Sequence, residues 1–170
     1  MKAKLMLLLS CLTLSAHAVE IGERLDIWTL PDQFDQPLQL DNEVRVILVA
    51  GSHGAAKLVD AAIKHEPKGY LEARQAVYIA DITHMPRMVA NRILVPAMRD
   101  ANYRILLDRE GEVASRYDPS RGEVLWLALE DGTLRERRQF SSADQLKEAL
   151  EQQALAGNSQ PDGEATRPAP

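Results

Sequence analysis

The sequence is nearly free of cysteine. Among its 170 residues only Cys11 carries a thiol, and it lies in an N-terminal stretch with two lysines, an apolar run and an A-x-A ending. These are the features of a secretory signal that is removed from the mature protein. Cleavage after Ala18 leaves a chain without sulfur nucleophiles, which excludes thiol–disulfide exchange and thiol peroxidase chemistry by its own residues. The alternative is a lipoprotein that is modified at Cys11.

The sequence also lacks an excess of positive charge and a long apolar segment. Its formal net charge is −5 at pH 7, which disfavours nucleic acid and anionic membrane surfaces as partners. The apolar run at residues 5–14 is too short to span a bilayer, and no later segment resembles a transmembrane helix. We therefore predict a periplasmic or secreted protein, with no membrane insertion after signal cleavage.

The C-terminal end differs in composition from the rest of the chain. Residues 156–170, AGNSQPDGEATRPAP, are rich in glycine, proline and small polar residues. Such a segment has almost nothing to bury, which predicts disorder. The predicted organisation is a signal peptide at 1–18, one folded domain at 19–153 and a disordered tail at 154–170.

Short apolar runs alternate with helical stripes through the folded domain. Pro96 predicts a kink or break in the second of three helices, and Asp131-Gly132 predicts a hairpin turn. Strand–helix alternation followed by a hairpin predicts an α/β fold, with a mixed central sheet and helices on both faces. The predicted strands are 25–30, 37–40, 44–50, 76–80, 103–107, 124–129 and 134–140, and the predicted helices are 55–64, about 86–101 and 143 onward.

The turn after the 44–50 strand resembles the active-site turn of the thioredoxin superfamily. Thioredoxins carry Cys-Gly-Pro-Cys-Lys at a helix N-terminus, and the same register here gives HGAAK, with His53 and Ala56 at the two cysteine positions. Val124 stands where the superfamily has a proline before its hairpin strand. The segments LLDREGEVASRYD and EVLWLALEDGTL look most like the YtfJ-type group of small exported proteins. The resemblance implies a thioredoxin-like three-layer sandwich without the redox cysteines.

The degenerate turn and the strand beside it are the predicted binding surface, since the resemblance implies that extended peptides are received there. The first N–H groups of the helix could instead hold an anion, with His53 adding a proton or charge. Alternatively, Ser52 or His53 only caps the helix. Adjacent serine and histidine side chains do not supply the base and oxyanion geometry of a serine hydrolase. The residues of the predicted surface are Ser52, His53, Gly54, Ala55, Ala56, Lys57, Val124 and Trp126.

A weaker candidate site consists of His84, Met85 and Met88. Imidazole and thioether ligands suit copper, and His84 and Met88 have the spacing of one helix face. The alternative is that the methionines pack in the core and His84 lies at the surface. The histidines after the signal have no compact zinc spacing, and we predict no cofactor.

These observations predict a non-redox binding or accessory module for a periplasmic protein or peptide, and they do not favour an enzyme. The alternative is a small-anion or copper-binding protein, or a non-thiol enzyme, that uses His53 or His84.

Overall fold

The computed structural model describes residues 19–157. The predicted signal segment at 1–18, and residues 158–170 of the predicted tail, lie outside the described residues. The elements in chain order are β1 (Thr29–Pro31), β2 (Pro37–Gln39), β3 (Val46–Ala50), α1 (His53–Ile63), β4 (Ala76–Asp81), α2 (Arg87–Val89), a π-helical turn (Ala90–Leu94), α3 (Val95–Met98), β5 (Leu106–Asp108), β6 (Val124–Glu130), β7 (Thr133–Phe140) and α4 (Ala143–Gly157), with 3₁₀ turns at Glu72–Arg74 and Ala114–Tyr117.

A mixed five-stranded sheet forms the centre of the fold, in the order β5-β4-β3-β6-β7. β3 pairs in parallel with β4, and β4 with β5, whereas β6 is antiparallel to both β3 and β7. All five residues of β3, VILVA, are buried, as expected for a central strand that is covered on both faces. The prediction of an α/β fold with a mixed central sheet is confirmed.

The sheet separates two hydrophobic clusters because successive strand side chains point to opposite faces. Val46, Leu48 and Ala50 belong to one cluster, together with buried residues of α1 and α4. Ile47 and Val49 belong to the other. The second cluster is covered by the N-terminal segment, the β1–β2 hairpin and the 3₁₀ turn at 114–117, so helical cover on that face is short.

The predicted strand at 25–30 is wrong in most of its length. Leu25, Trp28 and Leu30 are buried, Ile27 is 68% exposed, and the chain crosses from one partner to another. The Leu25 N–H donates to the Gly132 carbonyl at 2.9 Å, and Arg24 forms an isolated bridge with Thr133. Regular pairing starts only at Thr29, where β1 meets β2.

The segment 87–98 is helical, but its hydrogen bonding changes along its length. A π-helical turn at Ala90–Leu94 separates α2 from α3, and Pro96 lies in the first turn of α3. Proline has no N–H to donate to the preceding turn, and its ring crowds the carbonyl four residues earlier. The predicted break at Pro96 is therefore met by a wider turn just before the proline.

The last helix is longer than predicted. α4 continues past Gln153 to Gly157, so the predicted disorder at 154–157 is wrong. Alanine and leucine favour a helix at these positions once tertiary packing has fixed the preceding turns. Leu146, Ala149 and Leu150 form its buried stripe, as the spacing predicts. Within residues 19–157, no helix has both the length and the apolar character that crossing a bilayer requires.

Candidate functional site

Ser52 caps helix α1 and ties it to a distant loop. Its backbone is extended, and its Oγ accepts hydrogen bonds from the Ala55 N–H at 3.3 Å and from the Gly122 N–H at 3.1 Å. Both acceptor lone pairs of the hydroxyl are therefore engaged. The capping interpretation of Ser52 is confirmed. Its hydroxyl oxygen accepts two backbone hydrogen bonds, whereas a serine nucleophile needs an aligned base.

Glycine allows two loops to approach each other at the start of α1. A Cβ added at Gly51 would lie 2.6 Å from Cγ of Pro119, and one added at Gly54 would lie 3.6 Å from Cα of Gly122. Contact at 2.6 Å is far inside van der Waals distance, so any larger residue at Gly51 displaces the Pro119 loop. This packing joins segments almost seventy positions apart, and no local pattern in the sequence indicates it.

Only part of the predicted turn is available to a partner. His53, Gly54 and Lys57 are exposed, and Ala56 is half-buried. Ala55 is fully buried on the inner face of α1. A partner that contacts this turn therefore meets the imidazole, a bare backbone position and the lysine ammonium group.

Val124 and Trp126 lie near the turn but offer no surface. Val124 pairs with Ala50, Trp126 pairs with Leu48, and both side chains are almost completely buried in the same cluster as α1. The Trp126 ring meets Phe140 edge-on at 5.8 Å between centroids. Trp126 is therefore a core residue and not part of an accessible surface, because its strand position faces inward.

A groove of about 560 Å³ opens beside α1 and begins at the degenerate turn. One wall is the α1 stripe of His53, Lys57, Asp60 and Lys64, whose spacing of four, three and four residues keeps them on one helix face. The groove continues to the helical segment 87–98 and the loop that follows it. The remaining lining residues are Ala56, Tyr78, Leu94, Ala97, Met98, Asp100, Ala101, Asn102, Tyr103 and Ile105.

Two tyrosines, Tyr78 and Tyr103, line this groove. The Tyr103 hydroxyl donates to Oδ1 of Asp60 at 3.0 Å. Burial raises the pKa of Tyr78, and the neighbouring Tyr103 and the Asp60 charge raise it further. Burial and the Asp60 carboxylate likewise raise the pKa of Tyr103. Both hydroxyls therefore remain protonated donors at neutral pH.

Tyr78 differs from Tyr103 in having no partner. It is only 2% exposed, it lines the groove, and its hydroxyl makes no hydrogen bond to any of residues 19–157. Its hydroxyl is not among the fully buried polar atoms that lack a partner, which include the Tyr70 hydroxyl and Nε1 of Trp126, so it keeps some contact with solvent. The sequence-based prediction missed Tyr78, Asp60, Lys64 and Tyr103; the polar spacing opposite the buried α1 stripe was the available signal for Asp60 and Lys64.

The residues of the second candidate site lie at or near the surface. His84 is exposed and Met85 is half-buried, while Met88 is 69% exposed on α2. Met85 packs against the core, as the packing alternative predicted, whereas Met88 does not. Across residues 19–157, no group of three or more His, Cys, Asp or Glu side chains is arranged to hold a metal ion.

The fold and the altered turn define the class of protein: the chain has the thioredoxin fold without its redox cysteine pair. It is similar to the peroxidoxin BcpB from Mycobacterium tuberculosis, with a TM-score of 0.55, 17% identity, and coverage of 80% of this chain and 96% of that one. It is also similar to the mitochondrial 2-Cys peroxiredoxin from Plasmodium falciparum, with a TM-score of 0.51, 9% identity, and coverage of 87% and 100%.

The exposed lipoprotein thioredoxin Etrx1 from Streptococcus pneumoniae gives a TM-score of 0.51 at 14% identity, over 75% of this chain and 99% of that one. At these identities the likeness concerns the fold alone. No family model matches the chain, and no curated protein matches it either. The thioredoxin-like fold is thus confirmed, and the finer resemblance to the YtfJ-type group stays a prediction.

Proposed function

We propose that the chain is an exported, non-redox binding module that receives a segment of a periplasmic protein or peptide in the groove beside α1. The observation that carries the proposal is the groove itself, which begins at the degenerate turn and is lined by Tyr78, whose hydroxyl makes no hydrogen bond within residues 19–157. A ligand acceptor would satisfy this group. The export part of the proposal rests on the signal-like sequence of residues 1–18.

The chemistry at the turn supports binding rather than bond making. The two positions of the thioredoxin cysteines hold His53 and Ala56. Ser52 uses its hydroxyl to accept from two backbone N–H groups. A thiolate is required to attack a disulfide, and a serine nucleophile requires an aligned base; neither requirement is met by these residues.

A small-molecule anion is the second candidate ligand. The groove volume of about 560 Å³ lies within the range of small-molecule sites. His53 and Lys57 also place one imidazole and one ammonium group at its α1 end. Copper is not favoured, since His84 and Met88 are both exposed and stand outside this groove.

Site-specific photocrosslinking in cells tests the binding role. A photoreactive amino acid replaces Lys57, which is exposed at the groove, and the matched control replaces Glu148, which is exposed on α4. We expect a discrete protein adduct from position 57 and none from position 148. The absence of an adduct at 57, with normal expression, would contradict the proposal.

The export proposal is tested separately in the same cells. We expect osmotic shock to release the protein at the mass that results from cleavage after Ala18. Retention with the spheroplasts at full length would contradict it, and membrane retention that depends on Cys11 would instead support the lipoprotein alternative.

A further inference from the structure

The outward side of the helical segment 87–98 is largely apolar. Met88 is 69% exposed, Val89 38% and Ile93 67%, and Pro96 and Ala97 are exposed on the same segment. We propose that this side binds a second copy of the same chain, as an antiparallel pair of segments related by a two-fold axis near Pro96. The outer stripe is the name used below for residues 88, 89, 92, 93, 96, 97 and 100.

The π-helical turn keeps the outer stripe on one side of the segment. The Val95 N–H donates to the Ala90 carbonyl, five residues earlier, and both of those side chains are buried. On a regular α-helix, side chains four residues apart are rotated by about 40° around the axis at each step. The wider turn offsets part of this rotation, so the pairs at 88–89, 92–93 and 96–97 all remain exposed.

Two charged side chains of the outer stripe lack a partner, whereas other charges of the segment are paired within the chain. Arg87 pairs with Glu110 at 2.7 Å, and Arg99 pairs with a carboxylate of the β1–β2 hairpin at 3.6 Å. Arg92 and Asp100 are exposed and form no ion pair or side-chain hydrogen bond within residues 19–157. The outer stripe thus offers one free positive and one free negative charge.

These two charges are complementary to a second copy of themselves. Arg92 and Asp100 lie eight residues apart, about 12 Å along the segment, and Pro96 lies midway. A two-fold axis at Pro96 places each Arg92 beside Asp100 of the partner subunit when the segments run antiparallel, because such an interface presents the same patch on both copies. A parallel pair would instead place each charge beside its own equivalent.

The apolar residues of the outer stripe fit the same arrangement. Pro96 and Ala97 are small and lie at the axis, so the two backbones can approach closely. Ile93 then packs next to Ala97 of the partner subunit and removes apolar surface from water. One pair of short helices buries less than the roughly 1,600 Å² of a standard interface, so we expect a weak dimer with a Kd of about 10–100 μM.

Sedimentation velocity of the purified protein, from about 1 μM to about 500 μM, tests the dimer. We expect the mass to rise from one chain to two across this range. Ile93→Glu should weaken association at least about tenfold, whereas Ile27→Glu, at an equally exposed isoleucine outside the outer stripe, should preserve it. A monomer at every concentration, or equal effects of the two changes, would overturn the proposal.

Charge reversal tests the antiparallel arrangement. Arg92→Asp and Asp100→Arg each place two pairs of like charges in the dimer, so each variant alone should associate about tenfold more weakly than the parent. An equal mixture of the two variants should associate as well as the parent, because every pair in the mixed dimer is again of opposite sign. Failure of the mixture to recover association would overturn the arrangement.

A photoreactive amino acid in place of Ile93 identifies the occupant in cells. We expect an adduct of two copies of the chain. An adduct with a different protein alone, or no adduct, would overturn the assignment to a second copy. The inference does not rest on the binding role proposed above: the outer stripe shares only Ala97 with the groove beside α1, and crosslinking from position 57 tests the groove separately.

Discussion

Asp108 is a carboxylate that organises a turn from a position almost without solvent contact. It is 1% exposed, and its two oxygens accept from four backbone N–H groups, those of residues 111 to 114, at 2.7 to 3.2 Å. These bonds bring the 3₁₀ turn at Ala114–Tyr117 under the sheet. Hydrogen bonds to an ionised acceptor are about twice as strong as neutral ones, so this single side chain fixes the segment.

Asp108→Asn should therefore lower the free energy of unfolding by about 2–4 kcal/mol. The amide keeps one acceptor oxygen and turns an NH₂ group toward N–H donors that then lack a partner. Urea denaturation followed by circular dichroism measures the effect. Glu112→Gln, on an exposed residue of the same turn, is the control and should change stability by less than about 0.5 kcal/mol. Equal effects of the two changes would contradict this account.

For single residues, the sequence predicts local roles such as helix capping, but it does not predict contacts with residues that are distant in the chain. The pattern before α1 predicts a Ser52 cap, and the cap forms. The bond from Gly122 to the same hydroxyl and the approach of Pro119 to Gly51 depend on how the loop at 119–122 returns across the sheet. Such contacts are set by topology, so neither composition nor periodicity contains them.

Among the elements, the β1–β2 hairpin is held to the main sheet through the buried side chain of Gln33. Its Nε2 donates to the Tyr103 carbonyl at 2.9 Å, and its Oε1 accepts from the Ile105 N–H at 2.9 Å. Beside it, Arg104 pairs with the buried Asp32 at 2.9 Å. The side-chain amide of Gln33 thus bonds the backbone of Tyr103 and Ile105, just before β5 begins at Leu106.

Gln33→Ala should release this hairpin. The buried Tyr103 carbonyl and Ile105 N–H would both lose their partner, which costs about 2–4 kcal/mol in total. Hydrogen exchange should become faster in β1 and β2 before it changes in β3. Gln36→Ala, in the exposed part of the same hairpin, is the control. Unchanged exchange in the hairpin of the Gln33 variant would show that other contacts hold it.

The elements that are easy to predict are those whose local pattern and tertiary role agree. β3, β4 and β6 are continuous apolar runs that become central strands, since both faces of the sheet are covered. The segment at 25–30 misleads because Leu25, Trp28 and Leu30 are buried although regular pairing starts only at Thr29. The π-helical turn at Ala90–Leu94 is likewise unpredictable in detail, because a proline can be accommodated by a kink, a break or a wider turn.

For the whole molecule, the tyrosines connect burial to the dependence of stability on pH. Burial raises the pKa of each of the four tyrosines, Tyr70, Tyr78, Tyr103 and Tyr117. The groove that we propose as a binding site holds Tyr78 and Tyr103, for which the upward shift is large. The proposed recognition and the alkaline stability therefore involve the same hydroxyls.

A raised pKa in the folded state stabilises the fold below the unfolded pKa and loses that contribution above it. Unfolded tyrosines release their protons near pH 10, whereas the buried ones keep theirs, so rising pH favours the unfolded chain. We expect the free energy of unfolding to be insensitive to these groups below about pH 9. Above pH 10 it should fall by about 1.4 kcal/mol per pH unit for each tyrosine that stays protonated.

Urea denaturation between pH 8 and pH 12, with tyrosinate absorbance recorded on the folded protein, measures this fall. Tyr78→Phe should leave the free energy of unfolding near neutral pH unchanged. Above pH 10 it should make the fall of that free energy less steep by about 1.4 kcal/mol per pH unit, the contribution of one tyrosine. Tyr103→Phe should reduce the slope similarly but also lower stability at neutral pH, because it removes the hydrogen bond to Asp60. A Tyr78→Phe slope identical to that of the parent would mean that Tyr78 ionises in the folded protein near pH 10, and that its hydroxyl is more open to water than its burial indicates.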